Sequence, residues 1–305
     1  MLHVVRVLAP NPSPYTLEGT NTWVVSEGPS VVPGPGVPMP TDAPVVVIDP
    51  GPDEPAHLGE VASTAGSRVA AVLVTHDHPD HAPGAAAFAA RVGAPLHAFR
   101  LAGAQHLRDG QEVTAGGLTL TAVHTPGHAS DHVAFHARAH GALFTGDAVL
   151  GRGTSFIDPP DGDLAQYLRS LARMQELAPR TIYPGHGPVV LDAPAKLREY
   201  VDHRAAREEQ IVDAISREAR TVGEIVAEIY AAYPPEVHEL AARSVLAHLL
   251  KLAAEGRAAH EGRGEEARWR AVAPRECERC GKPTNARGRY CRSCSLILLQ
   301  EGSGA

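Results

Sequence analysis

The chain has 305 residues, 44% of them hydrophobic, with 28 Lys+Arg against 35 Asp+Glu and a formal net charge of −7. That length and apolar share can bury a full core in one large domain and leave room for one or two small ones. No apolar run approaches bilayer-spanning length, and Met1-Leu2-His3-Val4-Val5-Arg6 lacks the apolar stretch of a signal peptide, so a cytoplasmic protein with no membrane partner is expected.

In chain order, a long Pro/Gly-rich loop over 28–44 precedes an apolar run at 45–48, which ends in Asp49. A second run, 70–74, reads as a buried strand and leads into Thr75-His76-Asp77-His78-Pro79-Asp80-His81, three imidazoles and two carboxylates within seven positions. An extended turn there puts His76 and His78 on one side, able to close on one cation, while Asp80 and His81 point toward a second. Imidazole nitrogen and carboxylate oxygen are donors that zinc, manganese and ferrous iron accept. Residues 82–91 read as a helix whose N-terminus faces the same site and favours anions there. Three further polar residues each follow an apolar β-like run at 118–123, 142–144 and 181–183: His128 in Thr125-Pro126-Gly127-His128, Asp147 in Thr145-Gly146-Asp147, and His186 in Tyr183-Pro184-Gly185-His186-Gly187.

Between these, Leu164, Tyr167, Leu168, Leu171 and Met174 form a helical stripe that reads as core packing, and 192–219 reads as one or two helices. Thr221-x-x-Glu224 is a capping box that starts a short helix, closed by Tyr233-Pro234-Pro235. A helix over 237–255 places Val237, Ala241, Val245, Leu249 and Leu252 on one face and stops at Gly256. The segments 257–260 and 267–272 flank a Gly/Glu turn, a β-hairpin pattern, so this part reads as a winged helix.

The four cysteines are paired as Cys277-x2-Cys280 and Cys291-x2-Cys294, a spacing that suits one structural zinc in a knuckle; two disulfides are the other reading. Such knuckles serve nucleic acids, proteins or only their own folding. Charge divides unevenly: residues 1–200 carry net −7 and residues 201–305 net 0, but 268–292 holds eight Lys+Arg against two Glu. Arg268, Arg270, Arg287 and Arg289, interleaved with Trp269 and Tyr290, offer phosphate grips and stacking faces, or simply a solvated basic surface.

The order HxHxDH, His128, Asp147, His186 resembles the metallo-β-lactamase superfamily. Asn11-Pro12, Gly19-Thr20-Asn21-Thr22-Trp23, Ile48-Asp49-Pro50-Gly51, 127–132, 151–154 and 203–208 look like its beta-lactamase-like protein 2 family over about residues 1–272. The resemblance implies one metal held by His76, His78 and His128, and a second held by Asp80, His81 and His186. Asp147 would bridge them, Asp80 would serve as catalytic proton acceptor, and Asp49 would fix a ligand imidazole from behind. The expected architecture is α/β: an αββα sandwich over 1–200 with two divalent cations, zinc first among them, then a winged-helix-like domain over 201–273 and a four-cysteine zinc knuckle over 274–305. The expected activity is hydrolysis, in which a cation pair acidifies and positions water. Single-stranded RNA, cut by a phosphodiesterase or endoribonuclease, is the first substrate expectation, with nucleic-acid contact through the C-terminal third. A small acyl thioester, as for hydroxyacylglutathione hydrolase, is the alternative. A metal-sensing DNA-binding regulator is a third reading. β-Lactam hydrolysis is disfavoured by Asp at 147, where the common zinc β-lactamases use Cys.

Overall fold

The computed structural model describes residues 1–28, 43–273, 275–281 and 283–284. Contacts divide the chain into two compact units, Met1–Ser155 with Pro160–Asp202, and Phe156–Pro159 with His203–Ala305. Among the described residues no helix is long and apolar enough to cross a membrane.

The first unit holds two sheets. One runs β1 (Leu2–Leu8), β2 (Asn21–Glu27), β3 (Val45–Ile48), β4 (Val69–Leu73), β5 (Leu96–Ala98), β6 (Gln105–His106) in that spatial order. The other has the order β11-β10-β9-β8-β7, from β7 (Glu112–Ala115), β8 (Leu118–His124), β9 (Val133–Ala137), β10 (Ala142–Gly146) and β11 (Thr181–Pro184). Strand periodicity sorts the side chains: Val25, Val46, Ile48, Ala71 and Leu73 face the second sheet's Leu118, Leu120, Phe135 and Phe144. Their neighbours Val24, Val45, Val47 and Val72 pack outward beneath α1 (Pro55–Ala65) and α2 (Pro83–Val92) through Leu58, Val61, Ala85 and Phe88. Both faces of β3 and most of β4 are therefore buried, which is why these strands read as continuous apolar runs. Each fully buried Phe or Leu contributes roughly 1.5–3 kcal/mol.

On the outside of the second sheet α3 (Leu164–Glu176) begins at Asp163, whose carboxylate accepts from the Gln166 amide at 2.8 Å. The stripe buries Leu164, Tyr167, Leu171 and Met174, and the Tyr167 hydroxyl donates to the Ala148 carbonyl. The layers are thus helix, sheet, sheet, helix, as expected. The strands β3, β4 and β5 are mutually parallel, as are β10 and β11, so their carboxyl ends open at shared edges. Ligand crevices in α/β folds lie outside the carboxyl ends of such strands.

One helix, α4 (Ala193–Arg217), spans most of 192–219, where one or two were expected. In the second unit α5 (Val222–Ile229) carries both hydrogen bonds of the capping box, Glu224 amide to Thr221 Oγ1 and Thr221 amide to the Glu224 carboxylate. The remaining elements are α6 (His238–Ala254) and a hairpin of β12 (Ala258–Glu261) with β13 (Arg268–Ala271). Ile211, Ile215, Ile225, Val245, Leu249, Leu252 and Trp269 form its core. A small hairpin pairs β14 (Arg275–Glu276) with β15 (Pro283–Thr284).

Candidate metal centre

Every polar residue singled out in the first unit lies just past a strand. Asp49 follows β3, the His76–His81 loop follows β4, His128 lies between β8 and β9, Asp147 follows β10 and His186 follows β11. Two donor groups result: His76, His78 and His128, and Asp80, His81, Asp147 and His186.

In the first group His78 Nδ1 lies 2.9 Å from His76 Nε2 and 3.2 Å from His128 Nε2. In the second, His81 Nε2 is 3.3 Å from His186 Nε2, 3.3 Å from Asp80 Oδ2 and 3.4 Å from Asp147 Oδ1. His186 Nε2 is 3.1 Å from Asp80 Oδ2 and 3.2 Å from Asp147 Oδ1. Donors bound to one tetrahedral cation at about 2.0–2.1 Å stand roughly 3.3–3.4 Å apart, so both groups have the span a divalent ion needs. Asp147 faces both: its Oδ1 lies in the second group, while its Oδ2 is 3.7 Å from His128 Nε2.

The hydrogen bonds behind the rings aim the lone pairs inward. His81 Nδ1 donates to Asp49 Oδ2 at 2.8 Å, and His186 Nδ1 donates to the Gly19 carbonyl at 3.1 Å. Thr75 Oγ1 donates to Asp49 Oδ2 at 2.8 Å and can then accept from His76 Nδ1 at 3.0 Å. With the Nδ1 positions of His81 and His186 spent as donors, it is their Nε2 atoms that face the Asp80 and Asp147 carboxylates, where each carries a proton or, with a cation bound, gives it up to become a ligand.

Electrostatics points the same way. Burial, then the imidazoles of His81 and His128, holds His76 well below the usual histidine range, leaving it neutral. Burial would raise Asp147, but His186 and His81 keep it well below the carboxylate range; Asp80 is likewise lowered, against burial, by His81 and His186. In return, despite burial, Asp80, Asp147 and Asp49 raise His81 well above its ordinary value, and Asp147 lifts His186 to about 9. The pocket thus draws positive charge, which two divalent ions would supply.

Close packing forces some residue choices. A Cβ at Gly185 would stand 2.4 Å from Asp147 Oδ1, and one at Gly146, where φ is +45°, 2.6 Å from Thr75 Oγ1. Asp49 itself sits at φ 51°, a left-handed conformation that Asp tolerates better than most residues, with Oδ1 accepting from the Thr75 amide at 2.7 Å.

Sequence reasoning gave no role to the loop before β2. There Asn11 Nδ2 donates to Thr20 Oγ1 at 3.0 Å, Asn11 Oδ1 accepts from the Thr20 amide at 2.9 Å, and Thr20 Oγ1 donates to Asp80 Oδ2 at 3.2 Å. The adjacent Gly19-Thr20-Asn21 residues were visible only as a family motif. The expected open N-terminus of the helix after the histidine loop is not found. Pro83 has no N–H, the Gly84 amide donates to the Gly51 carbonyl at 3.0 Å and the Ala85 amide to the Ala82 carbonyl at 2.9 Å, so the first amides of α2 are already spent.

The candidate nucleic-acid residues fare differently. Arg268 Nη2 donates to the Ala219 carbonyl at 2.6 Å and lies 3.2 Å from Glu224 Oε2, while Arg270 is exposed. Trp269 is no stacking face: it is 3% exposed, its ring lying against His260 inside the winged-helix core. Arg287, Arg289 and Tyr290 lie outside the described residues. So do Cys291 and Cys294; Cys277 is buried and Cys280 exposed, and the Gly281 amide closes a turn on the Cys277 carbonyl at 2.8 Å.

Comparison with known proteins matches this geometry to a family. Residues 40–186 match the model for the metallo-beta-lactamase superfamily, and residues 221–269 that for the beta-lactamase associated winged helix domain. A protein named atrochrysone carboxyl ACP thioesterase, from Aspergillus chevalieri, is 35% identical over 283 residues, 87% of this chain and 86% of the relative. A beta-lactamase-like protein 2 homolog from Drosophila melanogaster is 32% identical over 281 residues, 83% of this chain and 89% of the relative. The crystal structure of a beta-lactamase domain protein from Burkholderia ambifaria shares the fold, with TM-score 0.72 at 23% identity over 89% of this chain and 91% of its own. The chain belongs to the metallo-beta-lactamase superfamily of metal-dependent hydrolases, in the form that carries the associated winged helix domain.

Proposed function

We propose that the chain is a binuclear-metal hydrolase of acyl thioesters. The two convergent donor groups joined through Asp147 support the chemistry. The observation that carries the substrate class is 35% identity over 283 residues to a protein named a carrier-protein thioesterase. In this reading His76, His78 and His128 hold one cation, Asp80, His81 and His186 the other, and Asp147 spans the pair. Bound there, the two ions would supply Lewis-acid polarisation of a carbonyl and acidification of water, with zinc the first candidate metal.

The chain's own groups do the rest. Asp80 has the most exposed side chain of its group, at 22%, and is the carboxylate placed to accept a proton from the attacking water. Thr20 holds one of its oxygens in place, and Asp49 fixes the His81 ring. The four cysteines hold a structural zinc in a C-terminal knuckle; the turn that the Gly281 amide closes on Cys277 supports this half of it. The domain division at 1–200, 201–273 and 274–305 belongs to the same proposal.

A phosphodiesterase acting on single-stranded RNA is the second reading. Its support is the basic composition of 268–292. Pairing of Arg268 and burial of Trp269 remove two of its contacts. Side-by-side turnover of a single-stranded oligoribonucleotide and an acyl thioester by the purified protein separates the two. Thioester hydrolysis without RNA cleavage is expected, and the converse result would overturn the choice.

A further inference from the structure

The groove beside the metal loop remains without a role. It encloses about 580 Å³, within the roughly 300–1,000 Å³ of small-molecule sites. Its position follows from topology. The strands β4 and β5 are parallel with Leu73 opposite His97, and the Val74 amide donates to the His97 carbonyl at 3.0 Å. Hence the segment that leaves β5 emerges next to the one that leaves β4, and Asp77, between His76 and His78, lines the groove together with Ala98, Phe99, Arg100, Leu101 and Ala104.

The wall is braced. Phe99 stacks on His124 with centroids 4.0 Å apart and planes at 10°, and the Leu107 amide donates to the Ala98 carbonyl at 2.8 Å. Small alanines, Leu101, one phenyl ring and His106 line an open groove of mixed character. Charge is added at two points: Asp77 at the metal loop and the exposed guanidinium of Arg100, which among the described residues closes no hydrogen bond or ion pair. Arg100 and Asp77 line the same groove, so the guanidinium lies beside the metal loop.

We propose that this groove binds the thiol-side arm of the substrate: an amide chain ending in a phosphate, held by Arg100 and repelled from Asp77. This rests on the thioesterase reading. The small side chains of Ala98, Ala102 and Ala104 leave the lining open to such a chain. A guanidinium also matches phosphate oxygens through two parallel charge-assisted hydrogen bonds. Attraction at Arg100 and repulsion at Asp77 together set the direction in which the chain lies, which would bring its thioester end toward the histidine loop.

The test compares one acyl group on 4′-phosphopantetheine and on pantetheine, with the wild type, Arg100→Ala and Arg100→Lys. The wild type should show a KM about ten-fold lower for the phosphorylated thioester. Arg100→Ala should abolish that preference with kcat nearly unchanged, and Arg100→Lys should keep part of it. Calorimetric binding of the two free thiols to the wild type and Arg100→Ala should show the same difference without any turnover. Equal affinity of the wild type for both thiols, or a preference unaltered in Arg100→Ala, overturns the groove assignment. So does an Arg100 effect confined to acyl groups that bear their own carboxylate on a neutral thiol. Arg100-dependent binding of phosphopantetheine by a protein that hydrolyses no thioester would support the groove and sink the thioesterase reading alone.

Discussion

Buried ionisable groups meet opposite fates in the two units. Around the histidine loop, the Nε2 atoms of His81 and His186 and the carboxylates of Asp80 and Asp147 converge on one point, with the rings' Nδ1 hydrogens turned outward to Asp49 and Gly19. In the C-terminal unit the partly buried Glu208 is matched on several sides: Lys251 at 2.7 Å, Arg257 at 2.5 Å and His248 at 3.7 Å. The first arrangement leaves room for an added cation, whereas in the second both Glu208 oxygens are met by cations of the chain itself. Charge satisfied by the chain itself is charge spent on folding. A cluster of donors with no acceptor-for-donor balance marks the place where a ligand belongs.

The largest break in this contrast should come from Asp147→Asn. An amide offers one weak oxygen where the carboxylate faces both groups, so turnover should fall by orders of magnitude while circular dichroism and the melting temperature stay near wild type. Preserved turnover of a substrate that the wild type hydrolyses would refute the two-ion reading.

Thr20→Val should act one step further out. It removes the hydroxyl that steadies Asp80, and ligand-orienting partners are typically worth about 10–100-fold in metal affinity. Competition with a chelator should show that loss at one of the two ions, with Thr20→Ser restoring most of it. An unchanged affinity would make the Asn11–Thr20 pair a purely structural brace of its loop.

The heptapeptide was legible because its spacing acts locally: in a turn, residues two apart share a side regardless of what surrounds them. Asp49 and Thr20 were harder to read because their partners lie 26–60 positions away and meet them only once strands pair. Asp49 could be placed behind an imidazole from its position after the apolar run 45–48, but not behind a particular ring. The helix after the loop was misread for a related reason: the carbonyl that occupies its first amide belongs to Gly51, on a different strand's exit. Trp269 was misread because a solvated basic stretch and a β-strand with one buried face look alike until the register is known. In the structure β13 alternates exposed Arg268, buried Trp269 and exposed Arg270. The winged helix was readable throughout, since a capping box and a 3.6-residue stripe are both local signals.

A moderate effect is expected from acid. Burial would raise the Glu208 carboxyl, but His248, Lys251 and Arg257 hold it at about 2 against an ordinary 4.5. The folded unit therefore binds that proton less readily than the unfolded chain. The stabilisation is complete above about pH 4.5 and disappears as the pH falls toward 2. Burial also lowers His248 from 6.5, so stability begins to fall once the unfolded chain protonates that ring, below about pH 6.5. Glu208→Gln should flatten the acid limb of a thermal-melt series monitored at Trp269 and cost roughly 1–3 kcal/mol at neutral pH. An acid limb identical to wild type would show that the cluster contributes nothing measurable.

The smallest effect should follow from removing everything after Val272. If a compact thioester is the substrate, it reaches only the histidine loop and the groove beside it, so KM and kcat should stay within about two-fold of wild type. Of the winged-helix cations near the cut, Arg268 is engaged by Glu224 and Arg257 by Glu208, and neither can take over a phosphate contact without breaking its pair. If RNA is the substrate, the deleted arginines supply phosphate contacts. The log–log salt dependence of oligonucleotide binding, about −0.7 per phosphate neutralised, should then flatten on truncation. A salt slope that is steep in the full chain and shallow in the truncated one, with thioester turnover absent from both, would reverse the contrast between the units. The C-terminal part would then hold the unspent charge, and the metal-binding unit would be the nuclease that it serves.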